Sequence, residues 1–173
     1  EQKLTASDAA VEDYFGMDVA ISGTTLVVGA PLNDDAGPSS GSAYVYIYNG
    51  SSWLEEQKLT ASDAATVDIF GGDVAISGDL IIVGAKSNDD AALDSGSAYV
   101  YRYSGSSWIE GLKLTASDAA AEDLFGVAVA ISGDTLAVGA LWDDDAGYDS
   151  GSAYVFERIY RLTRSHCNMD STF

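Results

Sequence analysis

Residues 15–31 read FGMDVAISGTTLVVGAP, residues 70–86 read FGGDVAISGDLIIVGAK, and residues 125–141 read FGVAVAISGDTLAVGAL. The three stretches start 55 residues apart, and the interval holds on both sides of them. Upstream, the phrase LTASDAA opens at Leu4, Leu59 and Leu114; downstream, GSAYV opens at Gly41, Gly96 and Gly151. No insertion or deletion breaks the register. A strict tandem period of this length marks one supersecondary unit copied in series. Such a unit buries its apolar face by stacking on its neighbours.

Within a unit the apolar runs are short. Residues 15–22, 26–30, 42–48 and 53–62 each read as a strand, A to D in that order. In SAYVYIY, Ala43, Val45 and Ile47 alternate with Tyr44, Tyr46 and Tyr48, the period of a half-buried strand. Ser22-Gly23, Ser77-Gly78-Asp79 and Ser132-Gly133-Asp134 separate A from B as tight hairpins, and Asn49-Gly50 separates C from D. No stretch carries a helical apolar period. Four strands in roughly 40–55 residues is the size of one propeller blade. The chain is therefore expected to be all-β, with tandem four-stranded antiparallel blades of a β-propeller at about 1–55, 56–110 and 111–156. Leu26, Val27, Val28, Ile81, Ile82, Val83, Leu136 and Val138 are the expected core of the second strands, and Val19, Val74 and Val129 line the innermost ones. The chain opens on a D-type run, EQKLTAS, and its repeats close on a C-type run, SAYVFE.

The phrase at 15–31 resembles the FG-GAP repeat, which builds the seven-bladed propellers of integrin alpha chains and many bacterial surface proteins. The resemblance spans residues 1–156. FG stands in all three units, whereas GAP is literal only at Gly29-Ala30-Pro31, with Lys86 and Leu141 in the proline's place. The resemblance implies a non-catalytic module of an extracellular or cell-surface protein, used for adhesion-like binding of a protein or carbohydrate ligand. The family also occurs beside catalytic domains, so an accessory domain of a hydrolase is an alternative. Its calcium loop, Asp-x-Asp-x-Asp-Gly between strands A and B, is not matched here. Ser22-Gly23-Thr24-Thr25 and its two counterparts are too short and too poor in oxygen ligands for an ion that takes six to eight.

The charge is one-sided: 27 Asp and Glu against 8 Lys and Arg, a formal net charge of −19. That argues against nucleic acid and anionic membrane surfaces as partners. No apolar run is long enough to span a bilayer. The single cysteine, Cys167, excludes an internal disulfide. Asn49-Gly50-Ser51 is a glycosylation sequon, but its counterpart Ser104-Gly105-Ser106 keeps the turn without the Asn, which favours a hairpin role. No Ser–His–Asp set, phosphate loop or Cys/His cluster offers catalysis a foothold.

Closed propellers have four to eight blades, so three are too few. An open arc, a ring built from several chains, or a fragment of a larger seven-bladed propeller without independent function are the alternatives. Open blade edges invite self-association. The last stretch, residues 157–173, breaks the repeat and holds Arg158, Arg161 and Arg164, the only His (His166) and the only Cys. It reads as a frame slip or splice boundary, or else as a basic peptide that docks on the acidic repeats.

Strand order puts the A–B and C–D turns on one side of the blades and the B–C and D–A loops on the other. The second side collects 17 of the 27 acids: Asp8, Glu12, Asp13, Asp34, Asp35, Asp63, Asp68, Asp89, Asp90, Asp94, Asp118, Glu122, Asp123, Asp143, Asp144, Asp145 and Asp149. Solvation and turn capping account for many such residues. The hard oxygens of Asp34, Asp35, Asp89, Asp90, Asp94, Asp143, Asp144, Asp145 and Asp149 also suit calcium, although they lack EF-hand spacing. Weak calcium binding is expected on the B–C loops, best in the third unit. This face is also where a protein or carbohydrate ligand is expected.

Overall fold

The structure, a computed structural model, describes residues 1–157. Arg158, Arg161, Arg164, His166 and Cys167, and with them the expectation for the tail, lie outside the described residues. The described residues form eleven strands in three antiparallel sheets. The first blade is β1 (Val19–Ser22), β2 (Thr25–Ala30), β3 (Ser42–Tyr48) and β4 (Trp53–Leu59). The second is β5 (Phe70–Ser77), β6 (Leu80–Ala85), β7 (Ser97–Tyr103) and β8 (Trp108–Leu114). The third comprises β9 (Phe125–Ser132), β10 (Thr135–Ala140) and β11 (Ser152–Glu157). Strands neighbour one another in chain order, and the register repeats: Val28 opposes Tyr44, Val83 opposes Tyr99 and Val138 opposes Tyr154. The sheets do not close on one another, so the described chain is an open arc.

Local chemistry sets the hairpins. Ser22 opposes Thr25 across two residues, the first of which is Gly23 at φ 58°. At the C–D turn the Asn49 side-chain oxygen accepts from the Ser51 and Ser52 amides at 3.0 and 2.9 Å, so the sequon asparagine ties the hairpin.

The blades stack through two apolar layers. In one, Val27, Ala43 and Val45 of the first blade meet Phe70, Val74, Ile76 and Val83 of the second. In the other, Leu80, Ile82, Ala98 and Val100 meet Phe125, Leu136 and Val138. Phe70 stands edge-on to Tyr99 at 5.5 Å, and Phe125 to Tyr154 at 5.4 Å. Full burial of each such side chain stabilises by about 1.5–3 kcal/mol.

The repeated glycines belong to these layers. Gly71 adopts φ 89°, and its carbonyl enters the space a side chain on Gly29 would fill; Gly126 does the same at Gly84. Three backbone bonds then join each B–C loop to the next D–A loop. Val67, Ile69 and Phe70 donate to Pro38, Ser39 and Ser40 at 2.8, 3.1 and 3.1 Å. Glu122, Leu124 and Phe125 donate to Leu93, Asp94 and Ser95 at 2.8, 3.1 and 3.0 Å.

Several expectations need correction. Residues 1–7 form no strand, because none of the described strands lies where a preceding C strand would pair with them. The first A strand starts at Val19 rather than at residue 15: β5 and β9 begin at Phe70 and Phe125 because these bridge to Gly41 and Gly96 of the blade before, and Phe15 has no such partner. Strand D stops at Leu59, three residues before the expected end. The expected core is buried except Leu26, which is half-buried. Val74 is buried and Val129 half-buried, while Val19 is 58% exposed because no described blade covers that face.

A candidate cation site on the acidic loop face

The D–A and B–C loops meet on one side of the arc, as the strand order requires. Leu32, Ser87 and Trp142 amides donate to the Asp13, Asp68 and Asp123 carbonyls, each at 3.3 Å. On the opposite side Tyr48 and Tyr103 amides donate to Thr24 and Asp79, both at 2.9 Å, which ties the A–B turns to the C–D turns.

The acids on this face are not one rim. Asp13, Asp68 and Asp123 are buried, and their carboxylates accept from the Ala10, Ala65 and Ala120 amides at 2.7, 2.8 and 2.7 Å. They cap turns, and burial pushes the Asp68 carboxyl above its ordinary value. Asp34 and Asp89 close their own loops, accepting from the Ser39 and Asp94 amides at 2.7 Å. The seventeen acids therefore overstate the charge open to a ligand.

Seven of the others, Asp8, Asp35, Asp63, Asp90, Asp118, Asp143 and Asp145, gather into one cage per unit. In the first, the Lys58 ammonium sits 2.7 Å from Asp8 and 3.1 Å from Asn33, and is bonded to Asp35. It also lies 5.2 Å from the Tyr44 ring centre. Strand register produces this: Lys58 opposes Tyr44 in the β3–β4 ladder, so its side chain rises over the ring toward both loops. In the second, Lys113 bonds to Asp63 at 2.7 Å and to Asp90, over Tyr99. Burial pulls the Lys58 ammonium down, but the Asp35 and Asp8 bonds outweigh it and hold it above its usual value. Lys58 and the Tyr44 hydroxyl hold the Asp8 carboxyl low. Burial raises the Asp63 carboxyl, but Lys113 and Tyr99 outweigh it and leave it low.

The third cage differs in two positions. Asp143 stands where the others have Asn33 and Asn88, and the position one period beyond Lys113 is Asn168 rather than lysine. Carboxylate oxygens of Asp118, Asp143 and Asp145 lie within 4.8 Å of one another. The Tyr154 hydroxyl is 2.7 Å from both Asp118 and Asp143, and Ser152 donates to Asp143 at 3.0 Å. The Tyr154 bond holds Asp143 low. A hydrogen bond shared with Asp118, and the Asp143 charge, raise Asp145. Three hard oxygens facing one point suit a divalent cation completed by water, or an ammonium.

Of the nine expected ligands, only Asp143 and Asp145 come together. Asp35 and Asp90 are neutralised by the lysines, and Asp34 and Asp89 close loops. Asp94 and Asp149 hold left-handed backbone at φ 49° and 50°, and the Asp94 carbonyl accepts the Leu124 amide of the next blade. Asp144 accepts the Gly147 amide at 2.9 Å through its carbonyl. The third member of this cluster, which the sequence reading did not group with them, is Asp118, from the D–A loop rather than the B–C loop. A signal was present: Asp8 and Asp63 are each followed fifty residues later by a lysine, Lys58 and Lys113, whereas Asp118 is followed at that distance by Asn168.

A comparison with protein-family models matches the FG-GAP repeat at residues 1–46, 53–101 and 108–156. A search of curated proteins finds no match.

Proposed function

Because the chain belongs to the FG-GAP repeat family, we propose that it serves as a binding module whose acidic loop face takes a cationic group at Asp118, Asp143 and Asp145. The FG-GAP propeller fold is generally non-catalytic, and its repeats are typical of extracellular or cell-surface proteins. We accordingly read the chain as an extracellular or cell-surface module that binds a protein or carbohydrate ligand on this face, in the manner of adhesion domains.

One observation carries the reading. The same cage, in the same place in two units, is closed by an ammonium, and in the third unit three carboxylates face one another with no lysine in the repeat register. Like charges so close favour any cation that can join them. Calcium fits better than magnesium because it accepts irregular oxygen sets completed by water. Calorimetric titration of the dilute chain with calcium in high sodium chloride tests this, since screening removes diffuse attraction but spares coordination. Heat that survives the salt and is lost in Asp143→Asn/Asp145→Asn supports the site. Heat that vanishes with salt, or that the double variant retains, refutes it.

A further inference from the structure

The two ends of the arc carry the two halves of the contact that joins its blades. At the tail end, the concavity lined by Gly139, Leu141, Gly151 and Ser152, about 500 Å³, is the counterpart of the places where Phe70-Gly71 and Phe125-Gly126 seat on the preceding blade. A Cβ on Gly29 or Gly84 would stand 2.0 Å from the carbonyl of Gly71 or Gly126, whereas a Cβ on Gly139 meets only Ala128 and Val127 of its own blade, at 3.5 Å or more. Beside it Val155 is 65% exposed, where Val45 and Val100 are fully buried by the next blade.

The head end is the complement. Phe15-Gly16 is not covered by a preceding blade, and a Cβ on Gly16 would meet nothing within 4 Å, where one on Gly71 would stand 2.3 Å from the Ser42 carbonyl. Both edges are already in the paired conformation. Glu12 and Tyr14 hold φ 67° and 55°, matching Val67 and Ile69 at 69° and 58°; Asp149 holds 50°, matching Asp94 at 49°. Among the described residues, the amides of Glu12, Tyr14 and Phe15 donate no inter-blade bond, and the carbonyls of Tyr148, Asp149 and Ser150 accept none. Residues 1–7 also sit on the first blade as β4 sits on the second. Gln2 clasps the Trp53 backbone at 2.9 and 2.8 Å, as Gln57 clasps Trp108 at 2.8 Å twice. The outer edge of this segment carries no described strand, and β11 lacks a described fourth strand beside it.

We propose that the tail of one copy receives the head of a second copy, with Phe15-Gly16 seated against Gly139 and residues 1–4 added to β11 as the fourth strand of the third blade. The register is fixed by the β3–β4 ladder, where Ala43, Tyr44 and Val45 oppose Leu59, Lys58 and Gln57. Ala153, Tyr154 and Val155, two periods after Ala43, Tyr44 and Val45, then oppose Leu4, Lys3 and Gln2, one period before Leu59, Lys58 and Gln57. Lys3 then stands over Tyr154, with its ammonium among Asp118, Asp143 and Asp145, as Lys58 and Lys113 stand in the other cages. This part rests on the reading of that cage as a cation site and names the cation as Lys3 of the second copy. Two copies supply six blades, inside the four to eight that close a ring, whereas three copies exceed it. The ring therefore closes as a head-to-tail dimer. One bond of the internal interfaces is missing: Asp18 and Asp73 accept from Val74 and Val129 amides, but Ala128 stands at the third position.

Sedimentation equilibrium of the full chain decides it. The expected mass is twice the 18.0 kDa of one chain. Gly139→Ala should sediment at the mass of one chain with an unchanged circular dichroism spectrum, since its methyl is tolerated within the blade and blocks only the incoming head. Lys3→Glu should weaken the dimer by about tenfold or more, and pairing it with Asp145→Lys should recover it. Calcium should compete with Lys3 and loosen the dimer. A single-chain mass at every concentration overturns the proposal, as does a species that grows without limit, or a dimer that Gly139→Ala leaves unchanged. Loss of the calcium heat alone would strike the calcium reading and leave these masses untouched.

Discussion

The carbonyl oxygen of Gly71 lies 2.0 Å from the point where a Cβ on Gly29 would stand, in the blade before it. The two glycines of the repeated motif thus serve a contact between units rather than a turn within one. Gly29→Ala should force the blades apart and destabilise the chain by about 1–3 kcal/mol, the usual cost of overpacking. Gly139→Ala, whose nearest neighbour would be Ala128 at 3.5 Å, should be neutral or stabilise by about 0.4–1 kcal/mol at dilute protein. Urea denaturation of the two variants checks the contrast, and equal losses would contradict it.

Gly16 and Gly71 share a left-handed backbone, φ 91° and 89°, but not a neighbour. Alanine at either site meets the backbone cost of about 1–2 kcal/mol. Only at Gly71 does it also collide with the Ser42 carbonyl, at 2.3 Å. The midpoint of denaturation should fall further for Gly71→Ala than for Gly16→Ala, and an equal or reversed order would show that the Ser42 contact adds no cost.

Val83 is wholly buried between the first and second blades. An aspartate there would leave a charge without a partner, at a cost of about 3 kcal/mol or more. Val83→Asp should abolish cooperative thermal unfolding, whereas Val19→Asp, on the exposed face of the first blade, should shift the melting temperature only slightly.

Acid should separate the cages by sign. The Asp8 carboxyl is held below its ordinary value of 3.8, so its contribution is full above that value and is lost as pH falls through the lower one. The Asp145 carboxyl is raised, so the folded chain takes up a proton the unfolded chain does not, and stability from this group grows as pH falls toward 3.8. Asp145→Asn should therefore raise the melting temperature near neutral pH, with the gain shrinking on acidification. Lys58→Met should lower stability by about 1 kcal/mol near neutral pH, with the loss shrinking below the ordinary carboxylate range. Melts across pH read both, and parallel profiles for the two variants would rule the scheme out.

The repeats, the strand types and most of the core were legible in the sequence because strand alternation, glycine turns and a fixed period are local signals. FG and GA announced themselves as a motif, but their reason did not: the glycine carbonyl and the space it fills belong to different units. The ends were misread for a related cause. Residues 1–7 carry the sequence of strand D, yet a strand needs a ladder partner, and none of the described strands pairs with them. Phe15 reads like Phe70 but has no Gly41 counterpart to bridge.

The candidate site divides in the same way. Composition and strand order placed the acids on one side of the arc. Which of them meet was decided by packing. Asp13, Asp68 and Asp123 turned inward to cap loops, Lys58 and Lys113 neutralised Asp35 and Asp90, and Asp118 joined Asp143 and Asp145 from a loop 25 residues away in sequence. A sequence determines which side of the arc a loop occupies, since antiparallel strands laid down in chain order put alternate connections at opposite ends. Only the tertiary structure decides which carboxylates share a cation, because that depends on distances of a few ångströms between loops that no local pattern encodes.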